Sequence, residues 1–215
     1  MRVLSLFDHS GAWSLPYRKR GYETIQVDIK FPKGLHAIRS EHGVNYEFGC
    51  DVRELLKGDW IAKFYPCRGI IAAPPCTEFS GSGAQFWPIK DSDGRTAAAL
   101  ELIDATLEII ERIKPIWWTL ENPVGRLRKL RPALGKPWYW QPHWFGDPYT
   151  KKTGLYGNFN SELKRDQVEP VMYTTKNGKR GSYYWAKLGG KSERTKDLRS
   201  VTPPGFSEAF AEANP

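Results

Sequence analysis

The sequence predicts an α/β protein with a doubly wound, mostly parallel sheet. Short apolar runs typical of buried strands alternate with segments that have the periodicity of helices. The segment from Thr96 to Lys114 is the clearest helix, because its apolar residues recur at spacings of three and four and Pro115 follows its end. Strands that alternate with helices favour a parallel sheet over an antiparallel one.

The other elements are justified by local signals. A short helix is expected at 14–21, where Pro16 suits the first turn and Gly21 suits the end. The segment 202–214 is expected to be a turn followed by a short helix, with Phe206, Phe210 and Ala213 as its buried stripe. The predicted strands are 2–7 (RVLSLF), 23–29 (ETIQVDI), 45–51 (NYEFGCD, a weaker pattern), 68–73 (RGIIAA), 116–122 (IWWTLEN, ending at Glu121), and a pair around 138–146 and 153–159.

Length and composition predict one globular domain over residues 1–215, with a short, basic, irregular insertion at about 157–199. One hairpin is expected in that insertion, because Asn177-Gly178 is typical of a tight turn. The apolar runs are too short for a signal peptide or a membrane span, which favours a cytoplasmic protein without a membrane partner. We expect a monomer.

Three cysteines (Cys50, Cys67 and Cys76) and no CxxC pair argue against a disulfide framework and a cysteine-based zinc site. No metal site is therefore expected, and free thiols fit a reducing compartment.

The basic residues are concentrated in segments whose composition is typical of nucleic-acid binding. The formal net charge is +8, and much of it lies in the segments 125–131 (GRLRKLR) and 176–199. The second segment also contains Tyr183, Tyr184 and Trp185, and cations neutralise phosphates while aromatic rings stack on bases. Trp138, Trp140 and Trp144 are instead expected mostly to pack against the sheet.

Acidic and sulfur-bearing residues follow the predicted strands at one edge of the sheet. They are Asp8, Asp28, Asp51, Cys76 and Glu121. Ligands of doubly wound sheets bind beyond the carboxyl ends of the strands, so five such residues on one rim indicate a site there.

Taken alone, Cys76 and Glu121 each allow a structural and a functional interpretation. Cys76 follows Pro74-Pro75, which end the strand and present the thiol rigidly, but most free cysteines only pack as small hydrophobic residues. Glu121 precedes Asn122-Pro123 and is either a surface residue or a proton donor at the site.

Three segments together, APPCTEFSGS, LENP and LFDHSGAWS, resemble the DNA cytosine-C5 methyltransferases, specifically small phage-type members without a full target-recognition domain. The resemblance runs from about Leu4 to Phe159 and returns at the C-terminus, although the family's Gly-Asn before that closing motif is absent. It implies a Rossmann-like fold that binds S-adenosylmethionine, DNA as the substrate, and the cytoplasm of a bacterial host as the location. The nucleophile that attacks C6 of cytosine would be Cys76, and Glu121 would hold the base at N3 and N4.

The resemblance also implies a cofactor site. Asp28 matches the carboxylate that receives the ribose hydroxyls, and Asp51 matches the one that contacts the adenine amino group. The positions implied for cofactor binding are Phe7, Gly11, Trp13, Asp28, Asp51 and Pro74.

The sequence departs from the family at several positions, which keeps other functions open. Lys151 and Thr153 stand where the family has two arginines, and Lys151 is expected to reach O2 of the base or a phosphate. Ser5 and His9 stand where an acidic residue and a glycine are usual. A catalytically impaired DNA-binding module, a variant with a different cosubstrate and an amino methyltransferase therefore remain alternatives, although amino methyltransferases carry an aromatic residue where Cys76 stands.

Overall fold

The computed structural model describes residues 1–174, 177–178, 180–182 and 192–215. The strands are β1 (Arg2–Leu6), β2 (Glu23–Val27), β3 (Gly34–Ser40), β4 (Gly43–Gly49), β5 (Gly69–Ala72), β6 (Trp117–Pro123), β7 (Trp138–Trp140), β8 (Thr153–Asn158), β9 (Met172–Thr174) and β10 (Arg180–Ser182). The helices are α1 (Leu15–Lys19), α2 (Trp60–Lys63), α3 (Trp87–Ser92), α4 (Arg95–Ile113), α5 (Leu127–Leu130), α6 (Glu193–Ser200) and α7 (Pro204–Ala213). Short 3₁₀ segments cover Val52–Leu56, Gly81–Phe86, Pro132–Leu134 and Pro142–Trp144.

Strands β1 to β8 form one eight-stranded sheet in the order β3-β4-β2-β1-β5-β6-β8-β7. The run from β4 to β6 is parallel, whereas β3, β8 and β7 add antiparallel strands at the edges. This confirms the predicted fold class. Because the parallel strands share a direction, their carboxyl ends lie along one edge of the sheet.

Both faces of the sheet are covered, so neighbouring residues of a strand pack into different cores. On β1, Val3 joins the cluster that contains α7, and Leu4 joins the cluster that contains α4. The same division separates Ile71 from Ile70 on β5. Because successive residues are buried on opposite faces, the sequences of the central strands are continuously apolar.

The predicted helix at the C-terminus is confirmed as α7, and its stripe forms the centre of an aromatic cluster. Phe206 and Phe210 are fully buried, and Phe206 stacks on Trp140 with 3.6 Å between ring centroids. Trp138 and Trp144 pack against the same core, which confirms the expectation for these tryptophans.

Several elements differ from the sequence prediction. Strand β3 is not predicted from the sequence, because its side chains beyond Gly34 are exposed and lack an apolar alternation. Strand β6 does not end at Glu121 but continues to Pro123, because β8 pairs with it along this stretch.

The insertion contains the predicted hairpin, formed by β9 and β10. It also contains α6, where irregular chain was expected. The predicted base-stacking residues Tyr183, Tyr184 and Trp185 lie outside the described residues. Across the described ranges, no helix is long and apolar enough to span a bilayer.

Candidate active site

The chain leaves β5 in an extended stretch and then turns sharply at Cys76. The backbone N–H groups of Phe79 and Ser80 donate to the Cys76 carbonyl at 3.0 and 2.9 Å. We call residues 76–80 the cysteine turn. Its first side chain, the Cys76 thiol, is partly buried at the edge of the sheet where the parallel strands end.

The segment that follows β6 lies against the cysteine turn. The Gly81 N–H donates to the Val124 carbonyl at 2.9 Å, and the Arg126 N–H donates to the Phe79 carbonyl at 2.9 Å. A Cβ at Gly125 would lie 1.9 Å from the Phe79 carbonyl oxygen, so only glycine allows this approach.

Glu121 lies within β6, directly opposite Leu155 on β8. Its side chain is partly buried, and no described residue is hydrogen-bonded or ion-paired to its carboxylate. Burial raises the pKa of this carboxyl, while the nearby Lys151 ammonium partly opposes the rise. The raised pKa favours the protonated form of Glu121, and its carboxyl group can still hydrogen-bond to a ligand.

Lys151 precedes β8 and is held at both its backbone and its side chain. Its N–H donates to the Gln141 side-chain oxygen at 2.9 Å, and its ammonium donates to the Arg199 carbonyl in the last turn of α6 at 3.1 Å. Thr153, the second position where the family has arginine, is fully buried, and its hydroxyl donates to the Lys151 carbonyl at 2.9 Å.

The fold thus brings Cys76, Glu121 and Lys151 together. Burial and then the Glu121 carboxylate raise the pKa of the Cys76 thiol to about 11, while Lys151 and, more weakly, Lys90 partly oppose the rise. The site therefore holds a protonated thiol beside a carboxyl and a cation, and the ionisation of the thiol depends on both neighbours.

Two basic residues that the sequence analysis did not assign to the site also contact the cysteine turn. Arg126 and Lys90 are buried, with 7% and 5% of their surfaces exposed. The sequence analysis placed Arg126 in a basic nucleic-acid segment, which is wrong for this residue because its side chain is buried against the turn. Its position directly after Gly125 was the available signal.

The predicted cofactor loop follows β1 and has unusual backbone. Phe7 has φ of 60° and Gly11 has φ of 66°. A positive φ is costly for a bulky residue such as phenylalanine and tends to persist at functional sites. A Cβ at Gly11 would lie 2.9 Å from the Gln26 side-chain nitrogen, so this part of the loop requires glycine.

Asp8 anchors that loop from within. It is 7% exposed, and its carboxylate accepts hydrogen bonds from the Ser5 hydroxyl at 2.8 Å, the Ser10 hydroxyl at 3.3 Å and the Ser14 N–H at 3.3 Å. Burial raises its pKa, while these hydrogen bonds partly oppose the rise. The Asp8 carboxylate therefore connects residues of the loop from Ser5 to Ser14.

Trp13 and Pro74 are both buried. The Trp13 ring packs on Phe206 and Phe210 of α7, with 5.8 Å between centroids in each pair. Trp13 therefore joins the loop to the core, and its cofactor role, like that of Pro74, stays a prediction.

Asp28 and Asp51 lie one and two residues beyond β2 and β4, where the sequence analysis placed them. One Asp28 oxygen accepts from the Lys30 N–H at 2.9 Å. Both Asp51 oxygens bond to the Arg53 side chain, at 3.0 and 2.7 Å, and this arginine lowers the pKa of Asp51.

A cleft separates Asp51 from the cysteine turn and is lined by Pro75, Thr77 and Leu102 among others. His9 is exposed and packs on Phe31, with 5.0 Å between ring centroids, so it joins the β1 loop to the β2 loop. The predicted cofactor residues therefore lie at the same end of the sheet as Cys76, Glu121 and Lys151.

Comparison with known proteins points to one class of enzyme. The chain is 27% identical to the type II methyltransferase M.NgoPII of Neisseria gonorrhoeae over 128 residues, and 28% identical to M.FnuDI of Fusobacterium nucleatum over 129 residues. Both of these relatives are type II methyltransferases. A third relative, the type II methyltransferase M.HgiGI of Herpetosiphon aurantiacus, is 24% identical over 122 residues.

The extent of these matches differs among the relatives. They cover 59%, 60% and 57% of this chain, respectively. The chain spans only 34% of the length of M.NgoPII and of M.FnuDI, but 90% of the length of M.HgiGI. No protein-family model matches the chain.

A solved E. coli structure, described as a DNA modification methyltransferase encoded within a prophage, has the same fold. The TM-score is 0.50 at 18% identity, covering 100% of this chain and 69% of the other. At this identity the likeness shows the fold alone.

Proposed function

We propose that this protein transfers a methyl group from S-adenosylmethionine to C5 of cytosine in DNA. The observation that carries the proposal is the meeting of Cys76, Glu121 and Lys151 at the end of the sheet, where the pKa of the thiol responds to both charged neighbours. The similarity to type II methyltransferases supports a methyl transfer, and the cysteine favours C5 over an amino nitrogen.

Each of the three residues has a chemical task that suits its environment. The raised pKa of Glu121 favours a carboxyl that donates its proton to N3 while its other oxygen accepts from N4. Lys151 favours the thiolate form of Cys76 and is available to O2 of the base or to a phosphate. Because C6 is inaccessible within a duplex, the cytosine must leave the stack to reach them.

The covalent steps balance as follows. Cys76 first gives up its proton to solvent, and the thiolate adds to C6. The electrons of the C5–C6 double bond shift towards N3, and N3 takes the proton from Glu121. When bound, S-adenosylmethionine would supply the methyl group for C5 and would leave as S-adenosylhomocysteine. Loss of the C5 proton to solvent then restores the double bond, N3 returns its proton to Glu121, and the thiolate leaves C6.

The residues at the β1, β2 and β4 loops fit a nucleoside-containing cofactor. Asp28 keeps one carboxylate oxygen without a partner among the described residues, which suits ribose hydroxyls. Asp51 lines the cleft beside Pro75, and its carboxylate would accept from the adenine amino group while it also pairs with Arg53. The glycine at position 11 keeps the loop free of a Cβ.

Covalent trapping tests this proposal. The protein is mixed with S-adenosylmethionine and DNA that contains 5-fluorocytosine, and denatured samples are analysed by intact mass. Fluorine at C5 blocks the final elimination, so a working enzyme stays bonded to C6. We expect an adduct with one added methyl group for the wild-type protein and none for Cys76→Ser.

Cys67→Ser is the matched control, because Cys67 precedes β5 and so lies at the opposite end of that strand from Cys76. It should form the adduct like the wild-type protein. Absence of an adduct from the wild-type protein, with methylation of adenine or of cytosine N4, would replace this proposal with amino methylation.

A catalytically impaired DNA-binding module is the second candidate, and one observation favours it. The Asp51 carboxylate is already engaged at both oxygens by Arg53. DNA binding without measurable S-adenosylmethionine binding in calorimetry, and without an adduct, would support that function instead.

A further inference from the structure

We infer that Arg126 is a positioning residue for the Cys76 nucleophile: it holds the cysteine turn in register with the strands that carry the other reacting groups. This inference rests on the proposed function. Arg126 lies five residues after Glu121 and is buried, so it joins the segment that follows one catalytic residue to the turn that follows the other.

Successive carbonyls of the cysteine turn accept from buried basic residues. The Lys90 ammonium donates to the Thr77 carbonyl at 2.5 Å. The Arg126 Nε–H donates to the Glu78 carbonyl at 3.0 Å, and its backbone N–H donates to the Phe79 carbonyl at 2.9 Å. Arg126 therefore fixes two consecutive peptide units, and Lys90 fixes the one before them.

The other arms of the guanidinium connect the turn to the helices behind it. Nη1 donates to the Asp91 carboxylate on α3 at 2.8 Å, and Nη2 donates to the Thr96 hydroxyl at the start of α4 at 2.7 Å. The guanidinium also lies 4.8 Å from the centre of the Trp87 ring. All three nitrogens of the planar fork are used, in directions that a lysine cannot reproduce.

The hydrogen bonds of Arg126 determine the position of the Cys76 thiol. The Cys76 carbonyl closes the same turn through Phe79 and Ser80, so a shift of the turn moves the sulfur relative to Glu121. A displacement of about 1 Å at a reacting atom can cost on the order of 100-fold in rate without affecting substrate binding to the same degree.

The test compares Arg126→Lys with the wild-type protein in two assays. The first is the single-turnover rate of adduct formation with 5-fluorocytosine DNA, measured beside the dissociation constant for that DNA. We expect adduct formation to slow by about 30- to 100-fold, while DNA affinity changes by less than about threefold.

The second assay needs neither DNA nor cofactor. Alkylation by iodoacetamide is followed at Cys76 and Cys67 in the same molecules by peptide mass spectrometry across pH. A loosened turn exposes the Cys76 thiol, whose pKa burial raises to about 11, so its alkylation midpoint should move to lower pH. Alkylation of Cys67 should not change, which separates a local effect from global unfolding.

Arg112→Lys is the matched control. Arg112 also pairs with a carboxylate and donates to a carbonyl, those of Glu108 and Leu56, but lies on the outer side of α4. It should match the wild-type protein in both assays. If Arg126→Lys does not fold, Asp91→Asn weakens the bidentate pair with Nη1 and Nη2 but leaves the bonds to Glu78 and Thr96, and should give a smaller change in the same directions.

The possible failures are distinguishable. If the wild-type protein forms an adduct and Arg126→Lys forms it at the same rate, the positioning role is wrong and the proposed function stands. If the wild-type protein forms no adduct, the proposed function fails, whatever the alkylation profile shows. A parallel loss of adduct formation, DNA affinity and Cys67 protection would reduce Arg126 to a residue that only stabilises the fold.

Discussion

Glu121 on β6 and Leu155 on β8 lie directly opposite each other in an antiparallel pair. This register also pairs Pro123 with Thr153, so the chain that approaches β8 passes beside the end of β6. Lys151 lies in that approach, and its ammonium partly opposes the burial that raises the pKa of both Glu121 and Cys76. Strand pairing, rather than any local motif, thus places the cation of the site.

Replacing Lys151 with methionine should raise the pKa of the Cys76 thiol above its present value of about 11, because the cation that favours the thiolate is lost. Alkylation of Cys76 at pH 9 should slow, and adduct formation should fall by about tenfold or more. Both are measured by mass spectrometry. Lys152→Met is the matched control, since Lys152 is exposed and lies over the Tyr139 ring; equal effects of the two substitutions would contradict the prediction.

Replacing Glu121 with glutamine should move two measurements in opposite directions. The Glu121 carboxylate raises the pKa of Cys76, so its loss should lower that pKa and speed alkylation in alkaline solution. Adduct formation should nevertheless fall by at least about 100-fold, because the amide cannot donate a proton to N3 as a carboxylic acid does. An unchanged alkylation profile would show that the two side chains do not interact.

The sequence was sufficient for the fold because the strongest signals were in the buried elements. Strand β5 and the long helix α4 bury enough apolar surface that their apolar patterns can be recognised in the sequence. Strand β3 lacks that signal, because an exposed edge strand is held by backbone pairing with β4 instead.

The site was predicted only in part, for a physical reason. Cys76 and the aspartates follow strands, and strand ends can be located from sequence. The buried positions of Arg126 and Lys90 depend on how the cysteine turn approaches α3 and α4, and basic residues in a basic segment resemble solvated ones. The engagement of Asp51 by Arg53 is likewise a product of local geometry.

Asp8 should make stability depend on pH. Its pKa is raised in the folded protein, so the folded state favours the protonated form. Relative to Asp8→Asn, the wild-type protein should therefore lose stability as pH rises from about 4 through the folded-state pKa. The loss is about 1.4 kcal/mol for each pH unit over which only the unfolded state ionises.

The measurement for Asp8 is urea unfolding of both proteins between pH 4 and 8. Asparagine can accept from Ser5 and Ser14 in the same geometry, so its free energy of unfolding should not carry this particular slope. A constant difference between the two proteins across that range would show that Asp8 has the same pKa folded and unfolded.

Gly125→Ala should disturb the cysteine turn sterically, because the added Cβ would lie 1.9 Å from the Phe79 carbonyl oxygen. We expect a loss of about 1–3 kcal/mol in the free energy of unfolding, as for other overpacked positions. Adduct formation should slow by about 100-fold as the thiol moves. Gly83→Ala is the matched control in the adjoining segment, since its Cβ would meet nothing closer than 3.7 Å. Wild-type adduct rates in Gly125→Ala, measured under conditions where it remains folded, would mean that the contact between the two loops does not set the position of Cys76.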